Sequence, residues 1–178
     1  MSDHGIVVDS GTVRFERLLP GPIERIWDYL TQSEKRATWL AGGPMELRKD
    51  GKVELTWHNS DLSGCQEEPP EKFAAHEGIT TYGHVTRCEP PYALSYTWEE
   101  GSGRDSEVTF ELSPKDELVQ LVLTHRRLGS QATKVGVAGG WHTHLGILAD
   151  RLEGRPPRPF WATYAQAEAD YEHRLAAA

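Results

Sequence analysis

The sequence predicts an α+β domain in which a curved antiparallel sheet wraps around one long helix. The prediction depends on a run of segments with alternating apolar and polar residues, and on a helical pattern that follows them. This pattern places five apolar residues on one helix face at spacings of three and four: Val137, Trp141, Leu145, Leu148 and Leu152. A long helix with a wide apolar face, following antiparallel strands, buries that face most simply against their sheet.

Seven strand-like segments alternate with a period of two residues. In segment 12–19, Val13 and Phe15 point to one face of the strand and charged residues to the other. The other predicted strands are 45–48, 52–57, 79–88, 92–99, 106–112 and 117–126. The turns between them, including Lys49-Asp50-Gly51 and Gly101-Ser102-Gly103, suit antiparallel neighbours.

Two short helices are predicted after the first strand. Four apolar residues at helical spacing indicate the first of them: Ile23, Ile26, Trp27 and Leu30. Thr31 and Glu34 fit a capping box that would begin the second, which is expected to end near Leu40.

The long helix is expected over 139–154, where Gly154 and the prolines that follow it provide a stop signal. The stretch 129–140 is interpreted as a flexible loop that enters the helix, and its glycine-rich part 136–140 as a gate or hinge. After a proline linker at 155–159, residues 160–175 predict a second amphipathic helix. Its aromatic residues could dock on the body of the protein or on a second subunit.

The predicted domain organisation has three parts. Residues 1–10 form an N-terminal arm, of which 6–8 could extend the first strand, and residues 11–155 form the folded domain. Residues 156–178 form a proline linker and a helical tail. The polar stretch 58–78 is expected to have little structure of its own, and it is either a lid or a tolerated surface insertion.

Composition and charge exclude several classes of function. With 19 basic and 27 acidic residues the net charge is −8, which argues against binding to nucleic acid or to anionic membranes. No segment approaches the ~18 consecutive apolar residues of a membrane-spanning helix. The N-terminus lacks signal-peptide features, so a cytoplasmic location is expected. Cys65 and Cys88 are too few and too far apart for a zinc motif or a disulfide framework, and no cofactor is expected.

Five motifs in a fixed order carry a resemblance to a known family. They are Pro20 to Thr31 with Trp39-Leu40, Glu46 to Val53, Gly83 to Val85 with Pro90-Pro91 and Leu94 to Trp98, Ser106 to Leu112, and Gly140-Trp141 through Leu152-Glu153-Gly154. Together they span about Thr12 to Gly154 and resemble the START-like (SRPBCC) superfamily. Within it, the chain is most similar to bacterial proteins named for the activator of the heat-shock protein 90 ATPase.

The resemblance implies a helix-grip (START/Bet v-like) fold with a cavity between the sheet and the long helix. Relatives bind lipids, sterols, polyketides or other hydrophobic molecules in this cavity, and a few catalyse reactions there. The polar stretch after His58 and the tail beyond Pro156 depart from the minimal family pattern. None of the motifs is a catalytic signature, so no catalytic residue is assigned.

Aromatic side chains and histidines are the candidate ligand-binding residues. Trp39 is expected near the cavity entrance. The tryptophans and the tyrosine that follow it are expected to face inward and to form a wall for a flat or hydrophobic ligand. The predicted set is Trp39, Trp57, Tyr96, Trp98, His125, Trp141, His144 and Leu145.

The histidines allow different interpretations. His125 shares the parity of Leu121 and Leu123, so it could project into the cavity and orient a ligand or act as an acid or base. The alternative is a strand-end histidine bonded to the backbone. His142 and His144 point ~160° apart on their helix and cannot share a metal as an i, i+4 pair does, so no metal site is expected.

Three functions remain open at this stage. The leading hypothesis is a protein that binds a small hydrophobic or aromatic molecule. The second is an enzyme of the cyclase or aromatase kind, which needs an acid–base group in the same cavity. The third is a chaperone cofactor or another partner-binding protein, which needs an exposed apolar patch. A homodimer through the tail helix is a further possibility.

Overall fold

The computed structural model describes residues 2–101 and 105–177. Its strands are β1 (Ile6–Asp9), β2 (Thr12–Pro20), β3 (Lys52–Thr56), β4 (Thr80–Glu89), β5 (Ala93–Trp98), β6 (Ser106–Lys115) and β7 (Leu118–Arg126). Its helices are α1 (Ile23–Thr31), α2 (Ser33–Arg36), α3 (Gln131–Leu152) and α4 (Phe160–Ala176), with 3-10 turns at Asn59–Asp61 and Glu71–His76. Part of the turn predicted at Gly101-Ser102-Gly103 lies outside the described residues.

The strands form one antiparallel sheet in the order β1-β2-β7-β6-β5-β4-β3. Alternate residues of β7, such as Leu121 and Leu123, are buried together with Trp141, Leu145 and Leu148 of α3. Each large apolar side chain buried in this way contributes about 1.5–3 kcal/mol as an upper estimate. The predicted α+β helix-grip architecture is confirmed.

The N-terminal arm contains a strand of its own. Residues 6–9 do not extend β2 but fold back and pair antiparallel with it, with Val7 opposite Val13. Gly11 lies in the turn between the two strands, where its N–H donates to the Asp9 carboxylate at 2.8 Å.

The strand predicted at 45–48 is wrong. Met45 forms a single bridge to Val53, and the chain then turns back on itself because the N–H of Arg48 donates to the carbonyl of Glu46 at 2.8 Å. Asp50 has a φ of 63°, which completes the reversal before β3. The carbonyls of Glu46 and Arg48 thus accept hydrogen bonds within the turn, from the N–H groups of Arg48 and Gly51, and not from a neighbouring strand.

The predicted capping box is also wrong. Thr31 lies inside α1, and its hydroxyl donates to the carbonyl of Trp27 at 2.8 Å, so it does not cap α2. The chain after α2 is instead held by the buried guanidinium of Arg36, which donates to the carbonyls of Thr31 and Ala41 at 3.0 Å each. A side chain at the end of α2 therefore organises the segment that was predicted to be helical.

Helix α3 begins at Gln131, so residues 131–140 are helical. The prediction of a flexible loop at 129–140, with a gate or hinge at 136–140, is wrong. The Ser130 hydroxyl accepts the N–H of Thr133 at 3.1 Å and caps the helix. Each glycine in a helix costs about 1 kcal/mol relative to alanine, but a Cβ on Gly139 would lie 3.4 Å from Tyr164 of α4. The stretch is therefore helical despite its poor helix propensity, and α4 packs against it at ordinary contact distance.

The 58–78 insertion packs against α4, and the two hold each other. The Glu67 carboxylate accepts the N–H groups of Phe160 and Trp161 at 2.7 and 3.1 Å, which are among the first N–H groups of α4. Phe73 stacks on the Trp161 ring with centroids 5.3 Å apart. Across the described residues, no helix is both long and apolar enough to cross a membrane.

Replacing Glu67 by alanine should lower the free energy of unfolding by about 1–2 kcal/mol, because α4 loses the acceptor for its first N–H groups. Urea unfolding followed by circular dichroism measures the change. Glu68→Ala is the matched control, since Glu68 is exposed and the same charge is removed. Equal stabilities for the two variants would contradict the capping role of Glu67.

Candidate functional site

A cavity of about 830 Å³ lies between the first half of α3, the ends of β5 and β7, the insertion and α4. Seven aromatic residues contribute to its wall: Trp57, Phe73, Trp98, Trp141, Phe160, Trp161 and Tyr164. The exposed residues Glu99, Asp105 and Arg127 form a charged rim. The volume is within the range of pockets that bind drug-sized molecules.

Five of the eight predicted ligand-binding residues line this cavity: Trp57, Trp98, His125, Trp141 and His144. The other three, Trp39, Tyr96 and Leu145, are buried in the core and are not part of its wall. Trp39 is not at an entrance, because it is fully buried and its indole N–H donates to the carbonyl of Tyr29 at 2.8 Å. Ligand contact by the five cavity residues stays a prediction.

Trp98 lies at the centre of the aromatic wall. As the last residue of β5, it contacts Trp57, just after β3, with ring centroids 5.4 Å apart. Its ring is 5.2 Å from Trp141 of α3 and 5.5 Å from His125 of β7. The rings from α3, from β7 and from the residue after β3 therefore meet around Trp98 at one end of the sheet.

His125 is fully buried and both its ring nitrogens are engaged. The indole N–H of Trp141 donates to Nδ1 at 2.9 Å, and because an indole can only donate, Nδ1 carries no proton. The proton is therefore on Nε2, which donates to the hydroxyl of Ser106 at 2.8 Å. Burial lowers the pKa of His125 to about 3, so the ring is neutral near pH 7.

His144 has the opposite tautomer. Its Nδ1 lies 2.7 Å from the carbonyl of Trp39, and because a carbonyl can only accept, Nδ1 carries the proton. Nε2 is left as an acceptor on a residue that lines the cavity, beside the rings of Trp57 and Phe160. Burial lowers the pKa of His144 to about 4, so this ring is also neutral near pH 7.

Asn59 adds a second open acceptor to the cavity wall. Its side-chain oxygen is buried and has no hydrogen-bond partner among the described residues. The Ser106 hydroxyl accepts the N–H of His125 and has no other hydrogen-bond partner among the described residues. Its own hydrogen is therefore available to donate. Beside its aromatic rings, the wall thus offers two open acceptors and one donor.

The model of the activator of Hsp90 ATPase homolog 1-like family matches residues 20–153, which is more than half of the chain. The chain belongs to this family. Together with the helix-grip architecture, the match places it in the START-like (SRPBCC) superfamily. No curated protein matches the chain.

Solved structures of similar proteins share the fold of this family member. A protein from Bordetella parapertussis, solved by solution NMR, is 48% identical, with a TM-score of 0.82 over 98% of this chain and 91% of that one. CalU16 from Micromonospora echinospora is 21% identical, with a TM-score of 0.68 over 96% and 93% of the two chains. DynU16, a protein of the dynemicin biosynthetic locus, is 22% identical, with a TM-score of 0.63 over 86% and 51%. The last two likenesses show the fold alone.

In this family member, sequence reasoning missed the part of the wall supplied by the insertion and α4. The aromatic spacing of the tail helix indicated a docking face, but not the surface that it covers. Phe73 and Asn59 carried no usable signal, because they lie in a stretch without periodicity. His142 faces away from the cavity, with Nδ1 3.3 Å from the Tyr171 hydroxyl. Within 2–101 and 105–177, no three potential ligands are grouped to hold a metal ion.

The two cavity histidines should show opposite neutral tautomers, with the proton on Nε2 of His125 and on Nδ1 of His144. Both should stay neutral at pH 6, since burial lowers their pKa values to about 3 and 4. Long-range proton–nitrogen NMR correlations distinguish the tautomers directly. The same tautomer for both rings, or protonation of either near pH 6, would show that these hydrogen-bond assignments are wrong.

Acidification should destabilise the fold through the same residues. Between pH 6.5 and their lowered pKa values, the unfolded chain binds protons that the folded chain does not, so stability falls as the pH falls. Each such histidine contributes a slope of up to about 1.4 kcal/mol per pH unit in this window. Urea unfolding between pH 7 and 5 should therefore give a shallower slope for His144→Gln than for the unchanged protein, whereas parallel slopes would exclude His144 as a source of the pH dependence.

Proposed function

We propose that this protein binds a small, uncharged, largely aromatic molecule in the cavity beside α3. The observation that carries the proposal is a wall of packed aromatic rings interrupted by a few buried polar atoms with unused hydrogen-bonding capacity. Such a surface gains free energy by covering an apolar molecule, and the polar atoms fix its orientation. Membership in the START-like superfamily supports the same use of the fold.

The charges around the cavity favour a neutral ligand. His125 and His144 are neutral near pH 7, so neither offers a positive charge to an anion. The Glu168 carboxylate in the wall is neutralised by Lys72 at 2.9 Å and also accepts the Tyr164 hydroxyl at 3.2 Å. A charged ligand would leave water without meeting an opposite charge inside.

The polar atoms specify where the ligand carries its own polar groups. The Nε2 of His144 and the side-chain oxygen of Asn59 need hydrogen-bond donors, such as hydroxyl groups. The Ser106 hydroxyl can donate to an acceptor on the ligand. We therefore infer a hydroxylated aromatic molecule rather than a plain hydrocarbon chain.

Binding is favoured over catalysis of the cyclase or aromatase kind. His125 would be the acid or base, but both of its nitrogens are committed to protein groups and its pKa is about 3. A group with this pKa is a poor proton carrier near neutral pH. His125 is better suited to hold Ser106 and Trp141 in place around the ligand.

Protein partners receive less support than a small molecule. The aromatic residues Trp161, Tyr164 and Tyr171 of α4 are buried against the body of the same chain. A homodimer through this face would require α4 to leave that position. We expect the acidic protein to act in the cytoplasm, without nucleic acid and without inserting into a membrane.

Gly140 offers a direct test, because a Cβ added there would meet nothing within 4 Å and the residue lines the cavity. Gly140→Leu should fill the cavity and weaken binding of 2-naphthol at least about tenfold, as measured by isothermal titration calorimetry. Gly140→Ala is the matched control, which makes the same gain in helix propensity without filling the cavity. Equal affinities for the leucine and alanine variants would contradict binding at this site.

The polar pattern is tested with the same protein and a second ligand. 2-Methoxynaphthalene has the shape of 2-naphthol but cannot donate a hydrogen bond, so it should bind about tenfold more weakly. His144→Phe removes the acceptor and should bring the two affinities together. If the methyl ether binds as well as 2-naphthol, the cavity recognises apolar surface alone.

A further inference from the structure

A second pocket, of about 220 Å³, lies on the opposite face of α3 from the aromatic cavity. His142, Gly146 and Ala149 of α3 line it, at helical spacing on the side away from His144. Its other walls come from β2, from the N-terminal arm and from the linker between α3 and α4. Nothing in the aromatic cavity uses these residues.

Arg17 projects into this pocket from the inner face of the sheet. It shares the parity of Val13 and Phe15, and it is buried, with only 7% of its surface exposed. Its guanidinium makes one hydrogen bond within the described chain, to the carbonyl of Glu16 at 2.8 Å, and no described carboxylate lies within ion-pair distance. A buried guanidinium with most of its donors unused is costly unless something else meets them.

The unused donors of Arg17 point into the pocket rather than into the core. Among the described residues, the buried side-chain nitrogen and oxygen atoms without partners are only Asn59 Oδ1 and Thr86 Oγ1. The free N–H groups of Arg17 are absent from this set, so they reach open space, and the pocket is the space that Arg17 lines.

The other two arginines in the pocket are already neutralised. Asp150 binds Arg158 through both of its oxygens, at 2.8 and 2.9 Å, and also pairs with Arg155 at 3.0 Å. Glu153 pairs with Arg155 at 2.7 Å. These contacts fix the positions of two guanidinium groups beside Arg17 and leave Nη1 of Arg158 without a carboxylate partner.

Gly146 makes room for this arrangement. A Cβ at this position would lie 2.6 Å from Nη1 of Arg158, so a larger residue would displace the guanidinium that crosses α3 here. The free Nη1 is thereby held against the helix on the same side as the Arg17 donors. Two guanidinium groups with free donors therefore flank one small pocket.

The negative groups of the pocket are mostly occupied as well. Glu16 pairs with Arg14 and accepts from Gln120, and Glu153 pairs with Arg155. Asp3 of the N-terminal arm is the remaining carboxylate in the lining, and it forms no ion pair within the described residues. Burial lowers the pKa of Arg17, and the nearby charge of Asp3, which forms no ion pair with it, offsets part of this lowering.

We propose that this pocket binds a small oxyanion, carrying a phosphate or carboxylate group, with Arg17 as its main ligand and Nη1 of Arg158 as its second. The guanidinium fork matches the geometry of such an anion and makes charge-assisted hydrogen bonds to it. Asp3 acts as an internal competitor, because its carboxylate stands in the same pocket and repels an incoming anion. The site is independent of the ligand in the aromatic cavity.

NMR titration of the intact protein tests the site. Sodium phosphate and, separately, sodium acetate are added at an ionic strength held constant with sodium chloride, and the backbone amide of Gly146 and the ring of His142 are followed. Saturable shifts with one of the two anions are expected, and the anion that saturates at lower concentration identifies the preferred group. Shifts that stay linear with both anions would overturn the proposal.

Three variants connect the binding to the named residues. Arg17→Met keeps the length of the side chain and should weaken binding about tenfold or more, whereas Asp3→Asn should strengthen it by removing the competing charge. Arg174→Met, at an exposed arginine of α4, removes the same charge and should change the affinity less than about twofold. An unchanged affinity in Arg17→Met would show that Arg17 does not bind the anion, and weaker binding in Asp3→Asn would show that Asp3 does not compete with it; either result would overturn the proposal.

Discussion

The hydrogen bond from the Trp141 indole to His125 determines most of the chemistry of the cavity. It links α3 to the sheet at the point where the helix crosses the end of β7, and it fixes the proton of His125 on Nε2. That proton is then committed to Ser106, whose hydroxyl lies in the cavity wall. One contact between a helix and a strand thus sets the position of a ring and the nitrogen that carries its proton, while burial keeps the ring neutral near pH 7.

The rest of the cavity depends on the partnership between the insertion and α4. Helix α4 carries an aromatic face, the insertion has little apolar surface of its own, and Phe73 packs between Trp161 and Tyr164 with centroids 5.3 Å from each. The indole N–H of Trp161 donates to Ser60 at 2.9 Å, and Lys72 pairs with Glu168. Segments almost a hundred residues apart in sequence therefore form one wall.

The sequence was sufficient for the sheet, for the long helix and for the aromatic face between them. The two-residue alternation of β5 correctly placed Trp98 and Tyr96 on the same inward face. This alternation does not show at which position along the strand the cavity begins. Trp98 ends β5 and reaches the cavity, while Tyr96 lies one step deeper and packs on Phe110 in the core. Arg17 has the same inward parity as Phe15, a signal that was present but unused.

The start of α3 could not be predicted, because its glycines weaken the helix propensity and the contact between Gly139 and α4 leaves no signal in the local sequence. The contacts of the insertion could not be predicted either. Glu67 lies in a polar stretch without apolar periodicity, so nothing in the local sequence indicates that it binds α4. In both cases the deciding interaction joins elements that local sequence rules treat separately.

The late position of α4 in the chain has a consequence for biosynthesis. Every described strand of the sheet and all of α3 are synthesised before Phe160, so the part of the wall that α4 supplies is added last. At typical translation rates the 17 residues of α4 follow within about one to several seconds. The cavity wall is therefore incomplete until α4 packs in place, since Phe160, Trp161 and Tyr164 are its last aromatic residues to be made.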